Sequence, residues 1–208
     1  MKTNLFLIAL AALLFTGAKN AAAWQPAGDR IKTRWAADVD PSCPLPEYPR
    51  PALVRDRWLN LNGEWDYAVR SVSEGEPADY DGKILVPFPV ESSLSGVQRE
   101  VGAANALWYR RSFTVPASWN GERILLHFGA VDYEAEVWLN GVKVGSHSGG
   151  YTAFRFDLTP YLTRGEQRLV VRVWDPTDAG PQPRGKQRSK PEAIWYTPVT
   201  GIWQTVWL

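Results

Sequence analysis

The chain has 208 residues, with 23 Lys+Arg against 22 Asp+Glu and a formal net charge of +1. That balance, with no basic block, excludes nucleic acid or an acidic membrane surface as the main partner. A hydrophobic fraction of 45% is enough for a packed core, and one Cys with two His exclude an internal disulfide and leave little for a metal centre.

The first element in chain order is a leader. Lys2 supplies a positive start, Leu5 to Phe15 is an uncharged apolar run, and Ala21-Ala22-Ala23 offers an A-x-A cleavage site. The run is too short for a membrane span of about 20 residues. Residues 1–23 are therefore expected to be a cleaved signal peptide. The mature chain is expected to be secreted or periplasmic, with no membrane span left after cleavage.

Residues 24–52 carry Pro41, Pro44, Pro46, Pro49 and Pro51, each of which fixes φ and removes a backbone donor. An extended lead-in is expected there, with the folded domain over 53–208. Short apolar stretches then alternate with turn signals, without sustained helical periodicity. Strands are predicted over Glu64–Val69, Lys83–Val86, Leu107–Val115, Arg123–Phe128, Tyr133–Leu139, Val142–Ser146, Phe154–Asp157, Arg168–Trp174 and Ile202–Leu208. Strands at this spacing define an all-β antiparallel sandwich or barrel. Asn140-Gly141 joins two of them and suits a type I′ hairpin turn. Leu158–Leu162 is long enough for one helical turn. The final run, Gly201 to Leu208, stops inside a strand pattern, and a continuation beyond it is expected.

Eleven tryptophans suggest sugar stacking, but Trp65, Trp138 and Trp174 fall within strands and suit sheet packing. Trp195, Tyr196, Trp203 and Trp207 lie near the end of the chain and are expected to be exposed there. Glu134 and Glu136 are two apart on one strand, so their Cα atoms lie roughly 6–7 Å from each other. A retaining glycosidase wants carboxyls about 5–5.5 Å apart. Tyr133, Ala135, Val137 and Leu139 form the expected buried set, which places both acids on the outer face. His127 and His147 stand alone, without metal-ligand spacing. No serine sits in a nucleophile elbow, and the glycines flank no phosphate loop. Arg184, Lys186, Arg188 and Lys190 are interleaved with Pro and Gly, as in a solvated loop.

Five runs in order go beyond a generic sandwich: Leu59-Asn-Leu-Asn-Gly-Glu-Trp65, Val86-Pro-Phe-Pro-Val-Glu-Ser92, Leu107-Trp-Tyr-Arg-Arg111, Val137-Trp-Leu-Asn-Gly141 and Thr200-Gly-Ile-Trp203. Together they resemble the N-terminal sugar-binding domain of glycoside hydrolase family 2, the family of β-galactosidases, β-glucuronidases and β-mannosidases. The resemblance implies a jelly-roll, galactose-binding-like sandwich, followed in full-length members by an immunoglobulin-like sandwich and a (β/α)8 barrel. Both catalytic glutamates of the family sit in that barrel, so no catalytic residue carries over. No cofactor and no metal are implied. Asn105 with Trp108, and Glu192 with Trp195, match positions whose loops approach the sugar in some members. This chain departs from the enteric β-galactosidase pattern at both places, with no Asp ahead of the Gly-Ile run.

Two functions of different class remain open at this point. One is the non-catalytic N-terminal domain of an exported β-glycosidase, with carbohydrate and the remaining domains of that enzyme as partners. The other is a stand-alone carbohydrate-binding module. A complete sandwich-fold glycosidase using Glu134 and Glu136 is disfavoured by their facing.

Overall fold

The computed structural model describes residues 24–30 and 32–208; the signal peptide expected over 1–23 lies outside the described residues. Among the described residues eleven strands form, all pairing antiparallel: β1 (Gly63–Ser71), β2 (Gly82–Val86), β3 (Asn105–Thr114), β4 (Leu125–Phe128), β5 (Val131–Asp132), β6 (Glu134–Leu139), β7 (Val142–Ser148), β8 (Phe154–Asp157), β9 (Glu166–Trp174), β10 (Gly201–Ile202) and β11 (Val206–Trp207). A six-stranded sheet runs β2-β1-β3-β9-β6-β7, and a three-stranded sheet runs β11-β4-β8. The short β10–β5 pair links them, because β5 lies between β4 of one sheet and β6 of the other. Among the described residues no helix is long and apolar enough to cross a membrane.

Strand alternation builds the core. In β6, Ala135, Val137 and Leu139 are buried and Glu134 is exposed. Leu107 and Tyr109 of β3 lie beside Val173 and Val171 of β9, and these inward faces meet Leu126, Phe128 and Val206 from the smaller sheet. Trp65 is the largest side chain in this core; its indole N–H donates to the Leu61 carbonyl at 2.8 Å, and its ring meets Tyr109 edge-on. Tyr133 departs from the expected buried set and is only half-buried, since it precedes the strand rather than lying in it.

The predicted Ile202–Leu208 strand is two short ones. Ile202 pairs with Val131, Val206 pairs with Phe128, and Trp203, Gln204 and Thr205 carry the chain between them. Leu59–Leu61 then pairs along the last residues, with Leu59 N–H to Leu208 O at 3.0 Å and Leu61 N–H to Val206 O at 2.9 Å. The region ahead of it contains a 3-10 turn at Arg34–Asp38. A second 3-10 turn at Thr159–Tyr161 takes the place expected for one helical turn.

The Asn140-Gly141 hairpin has φ of 53° and 83° at its two residues. Asn140 also ties the turn to β9: its side chain accepts from Arg168 N–H at 2.9 Å and donates to Gln167 Oε1 at 2.9 Å. Gly141 faces open space, so a larger residue there meets backbone strain without a clash. Gly141→Val is expected to lower stability by about 1–3 kcal/mol, read from the urea midpoint. An unchanged midpoint would contradict the turn assignment.

The outer face of the large sheet carries its own small cluster. Ala68, Ala106, Trp108 and Val170 are buried there beneath the 72–81 connection, with Trp138 stacked on Trp108 at 5.7 Å. Arg172 donates to the Val72 carbonyl at 3.0 Å, and Arg168 pairs with Glu76, which holds the connection down.

Candidate functional site

Three acids converge where the connections meet the β10–β5 pair. Glu91 lies in the β2–β3 connection, Asp132 ends β5, and Asp175 follows β9 directly. All three are buried, at 7%, 3% and 2% exposure. Each accepts hydrogen bonds from the loop that runs from 175 to 200. Asp175 accepts from Thr177 N–H at 2.7 Å and from the Thr200 hydroxyl at 2.8 Å. Glu91 Oε2 accepts from Thr200 N–H at 2.9 Å, while its Oε1 is buried with no hydrogen-bond partner. Asp132 accepts from the Gln187 amide at 2.9 Å, and Gln187 Oε1 accepts from Val199 N–H at 2.6 Å.

Burial dominates the electrostatics. It pushes the Glu91 carboxyl up to about 7, and the Thr200 hydrogen bonds only partly oppose that. Burial likewise lifts Asp132 to about 6 against the Gln187 hydrogen bond, and it raises Asp175. The negative charge of Asp175 adds to the shift of both neighbours. Raised carboxyls in a cleft can mark general acids, but these are closed off and committed to loop donors. They anchor the loop.

Tyr109 completes the anchor. Its hydroxyl accepts from Ile202 N–H at 3.2 Å, and burial raises its pKa well above the ordinary phenol value.

The anchored loop presents Glu192 and Trp195. Trp195 N–H donates to the Glu192 carbonyl at 3.0 Å, and Arg188 lies 4.3 Å over the Trp195 ring. With Asp178, Ser189 and Lys190 they line an open recess of about 460 Å³. Of the basic cluster, Arg188 also pairs with Asp178 at 3.6 Å. Asn105 and Trp108 lie elsewhere. The Asn105 amide donates to the Val101 carbonyl at 2.8 Å, and Trp108 is 3% exposed beneath the 72–81 connection, presenting no free ring face. The structure thus brings Glu192 and Trp195 together, and Asn105 and Trp108 share only strand β3.

Of the end-of-chain aromatics expected at the surface, Tyr196 is exposed, while Trp195 is only half-buried beneath the Arg188 guanidinium. Trp203 is half-buried and donates to the Gly150 carbonyl at 2.8 Å, and Trp207 is buried against His127 at 4.8 Å. The smaller sheet takes up Trp207 because β11 pairs with β4. Glu134 is exposed, while Glu136 is held by Lys143 and by Arg172 at 3.2 Å, so neither stands as an acid/nucleophile pair. His147 stacks on Phe154 at 4.1 Å. Among the described residues no His/Cys/Asp/Glu group is arranged to hold a metal ion.

Sequence reasoning missed the anchoring acids. Glu91 and Thr200 lie inside two of the five runs, yet nothing local marks their burial. Asp132 sits between apolar Val131 and Tyr133, which was the one available signal.

The architecture is a jelly-roll-type antiparallel sandwich, with an open recess lined by the 175–200 loop. The chain belongs to glycosyl hydrolase family 2: residues 47–182 match the family model described as "Glycosyl hydrolases family 2, sugar binding domain". It is 30% identical over 132 residues to a β-glucuronidase of Paenibacillus borealis, covering 61% of this chain and 22% of that one. It is 37% identical over 161 residues to a β-galactosidase of Bacteroides ovatus, covering 72% and 17%. The solved β-glucuronidase of Bifidobacterium dentium, complexed with coumarin-3-O-glucuronide, superposes with a TM-score of 0.52 at 26% identity, covering 74% of this chain and 30% of that one. A β-glucuronidase from Ruminococcus gnavus shares the fold, with a TM-score of 0.57 at 20% identity over 77% and 30%. The alignments span about a fifth of the length of these curated relatives.

Proposed function

We propose that this chain is the non-catalytic N-terminal domain of an exported family 2 β-glycosidase, which hydrolyses O-glycosyl bonds in a downstream barrel. The observation that carries this reading is the use of the carboxylates. The buried acids are tied to loop donors, and the acids of β6 face outward, so none forms a pair that could flank a glycosidic bond. The domain's work is then positional. It holds the 175–200 loop so that Glu192 and Trp195 border the sugar at the barrel mouth, and it offers surface on which the later domains pack. Asn105 and Trp108 act through the fold of their own connections rather than by touching sugar.

The leader pattern at Lys2, Leu5–Phe15 and Ala21–Ala23 supports export. An antibody raised against residues 24–208 tests both parts on the native polypeptide. The expected species is several times longer than 208 residues, lies outside the cytoplasm and begins near Trp24. A native polypeptide ending at Leu208 would instead support a stand-alone carbohydrate-binding module, and retained Met1 on cytoplasmic protein would refute export.

A further inference from the structure

On the outer face of the smaller sheet, Trp207, His127 and Arg155 form one row across β11, β4 and β8, as direct cross-strand partners. Residues 48–55 run beside this row and close it into a recess of about 460 Å³. Its floor is aromatic: His127 stacks on Trp207, and Tyr48 meets Trp207 edge-on at 6.5 Å.

Its rim is cationic. Arg50, Arg55 and Arg155 all line it, and no Asp or Glu does. Ten arginine or lysine side chains form ion pairs among the described residues, and these three are not among them. Arg50 donates only to the neighbouring Pro49 carbonyl at 3.2 Å, with its guanidinium 5.2 Å from the Trp207 ring centre. The chain as a whole carries a formal charge of +1, so this excess is local. His127 registers it. Burial first, and then the charges of Arg155, Arg50 and Arg55, hold its imidazole below the ordinary value, so it stays neutral beside three cations.

We infer that this recess binds an acidic saccharide, with a carboxylate or sulfate ester on Arg50, Arg55 and Arg155 and a sugar ring against the His127–Tyr48 floor. Guanidinium forks match both anions in a planar, bidentate way. A recess of this size takes a small ligand held by an apolar floor and a few placed polar groups. A nucleic-acid strand would need a longer basic track along its backbone. The site does not rest on the reading of the chain as part of a larger enzyme, because a stand-alone module with the same recess would bind the same ligand.

Calorimetric titration of the chain with oligogalacturonate, a sulfated galactan oligosaccharide, a neutral galactan oligosaccharide, inorganic sulfate and a single-stranded DNA oligonucleotide tests it. At least one acidic oligosaccharide is expected to bind at least about tenfold more tightly than the neutral one and than sulfate. Binding of oligogalacturonate alone identifies the anion as carboxylate, and binding of the sulfated galactan alone identifies it as sulfate; either supports the site. Arg155→Gln and Arg50→Gln should each weaken that binding about tenfold, the loss expected for one charged hydrogen bond. Arg70→Gln, on the large sheet, should leave it unchanged. Arg155 is exposed, so its variant keeps the fold, which an unchanged melting temperature verifies. Equal affinity for the neutral oligosaccharide, affinity fully matched by sulfate, tighter binding of single-stranded DNA, or unaffected variants would each overturn the proposal.

Discussion

The melting temperature of residues 24–208 should fall as pH rises from 5 to 8. Glu91 and Asp132 carry folded-state values of about 7 and about 6, above the ordinary carboxylate range. Between their unfolded and folded values the folded chain binds more protons than the unfolded chain. Stability is therefore lost with rising pH over that window. Each tenfold weakening of an acid on folding is worth about 1.4 kcal/mol, so Glu91 alone accounts for on the order of 3 kcal/mol. Glu91→Gln keeps an oxygen for the Thr200 N–H but cannot ionise. It should flatten the profile and raise the melting temperature at pH 8 by roughly 6–12 °C, given roughly 2–4 °C per kcal/mol for a chain this size. Acid works in the opposite direction through other groups. Asp66 and Asp81 are held below the ordinary range by Lys83 and Arg110, and by the Val69 N–H and Arg70, which outweigh the effect of burial. Their contribution is lost as pH drops below about 4, so stability should peak near pH 4. A profile that is flat or rising between pH 5 and 8 in the wild type would contradict the burial of the three acids.

Gly201→Ala should cost about 4 kcal/mol, a strained positive φ added to an overpacked core. Gly201 has φ +91°, and a Cβ there would overlap the Tyr109 hydroxyl and come within 2.9 Å of Leu107 Cδ2. Tyr109 cannot retreat: it is wholly buried, packed edge-on against Trp65, and bonded to Ile202 N–H. Removing the hydroxyl makes room, so Tyr109→Phe in the Gly201→Ala background should recover part of the loss, and a double-mutant cycle in urea would show favourable coupling. Strict additivity would mean that the two residues do not press on each other.

Most of the sandwich was legible because its strands alternate cleanly. Ala135, Val137 and Leu139 against Glu134 and Glu136 give both the strand and its facing, and Asn140-Gly141 gives the turn. The hidden parts depend on contacts distant in sequence. Strand β5 is two residues long and exists only because β10 returns to pair with it some 70 residues later. The run from Ile202 splits because Val206 must pair with Phe128, which no local pattern announces. Trp108 faces outward by alternation, yet it is buried because the 72–81 connection folds over it. The same limit applies to the site. Glu192 and Trp195 could be picked out as loop residues beside a strand, whereas Glu91, Asp132 and Asp175 are far apart in the chain and meet only when the fold closes. The arginine recess was equally hidden, since Arg50 and Arg55 reach Arg155 only across the face of the smaller sheet.

The proposed role of this domain is to position sugar chemistry without performing it. Its most direct test is to incubate the purified chain with chromogenic β-galactoside, β-glucuronide and β-mannoside and follow release of the chromophore. No turnover above buffer is expected, because the three buried acids are tied to loop donors and Glu134 and Glu136 form no acid/nucleophile pair. Turnover that disappears in Glu134→Gln or Glu136→Gln would contradict the claim and place an active site on the outer face of β6.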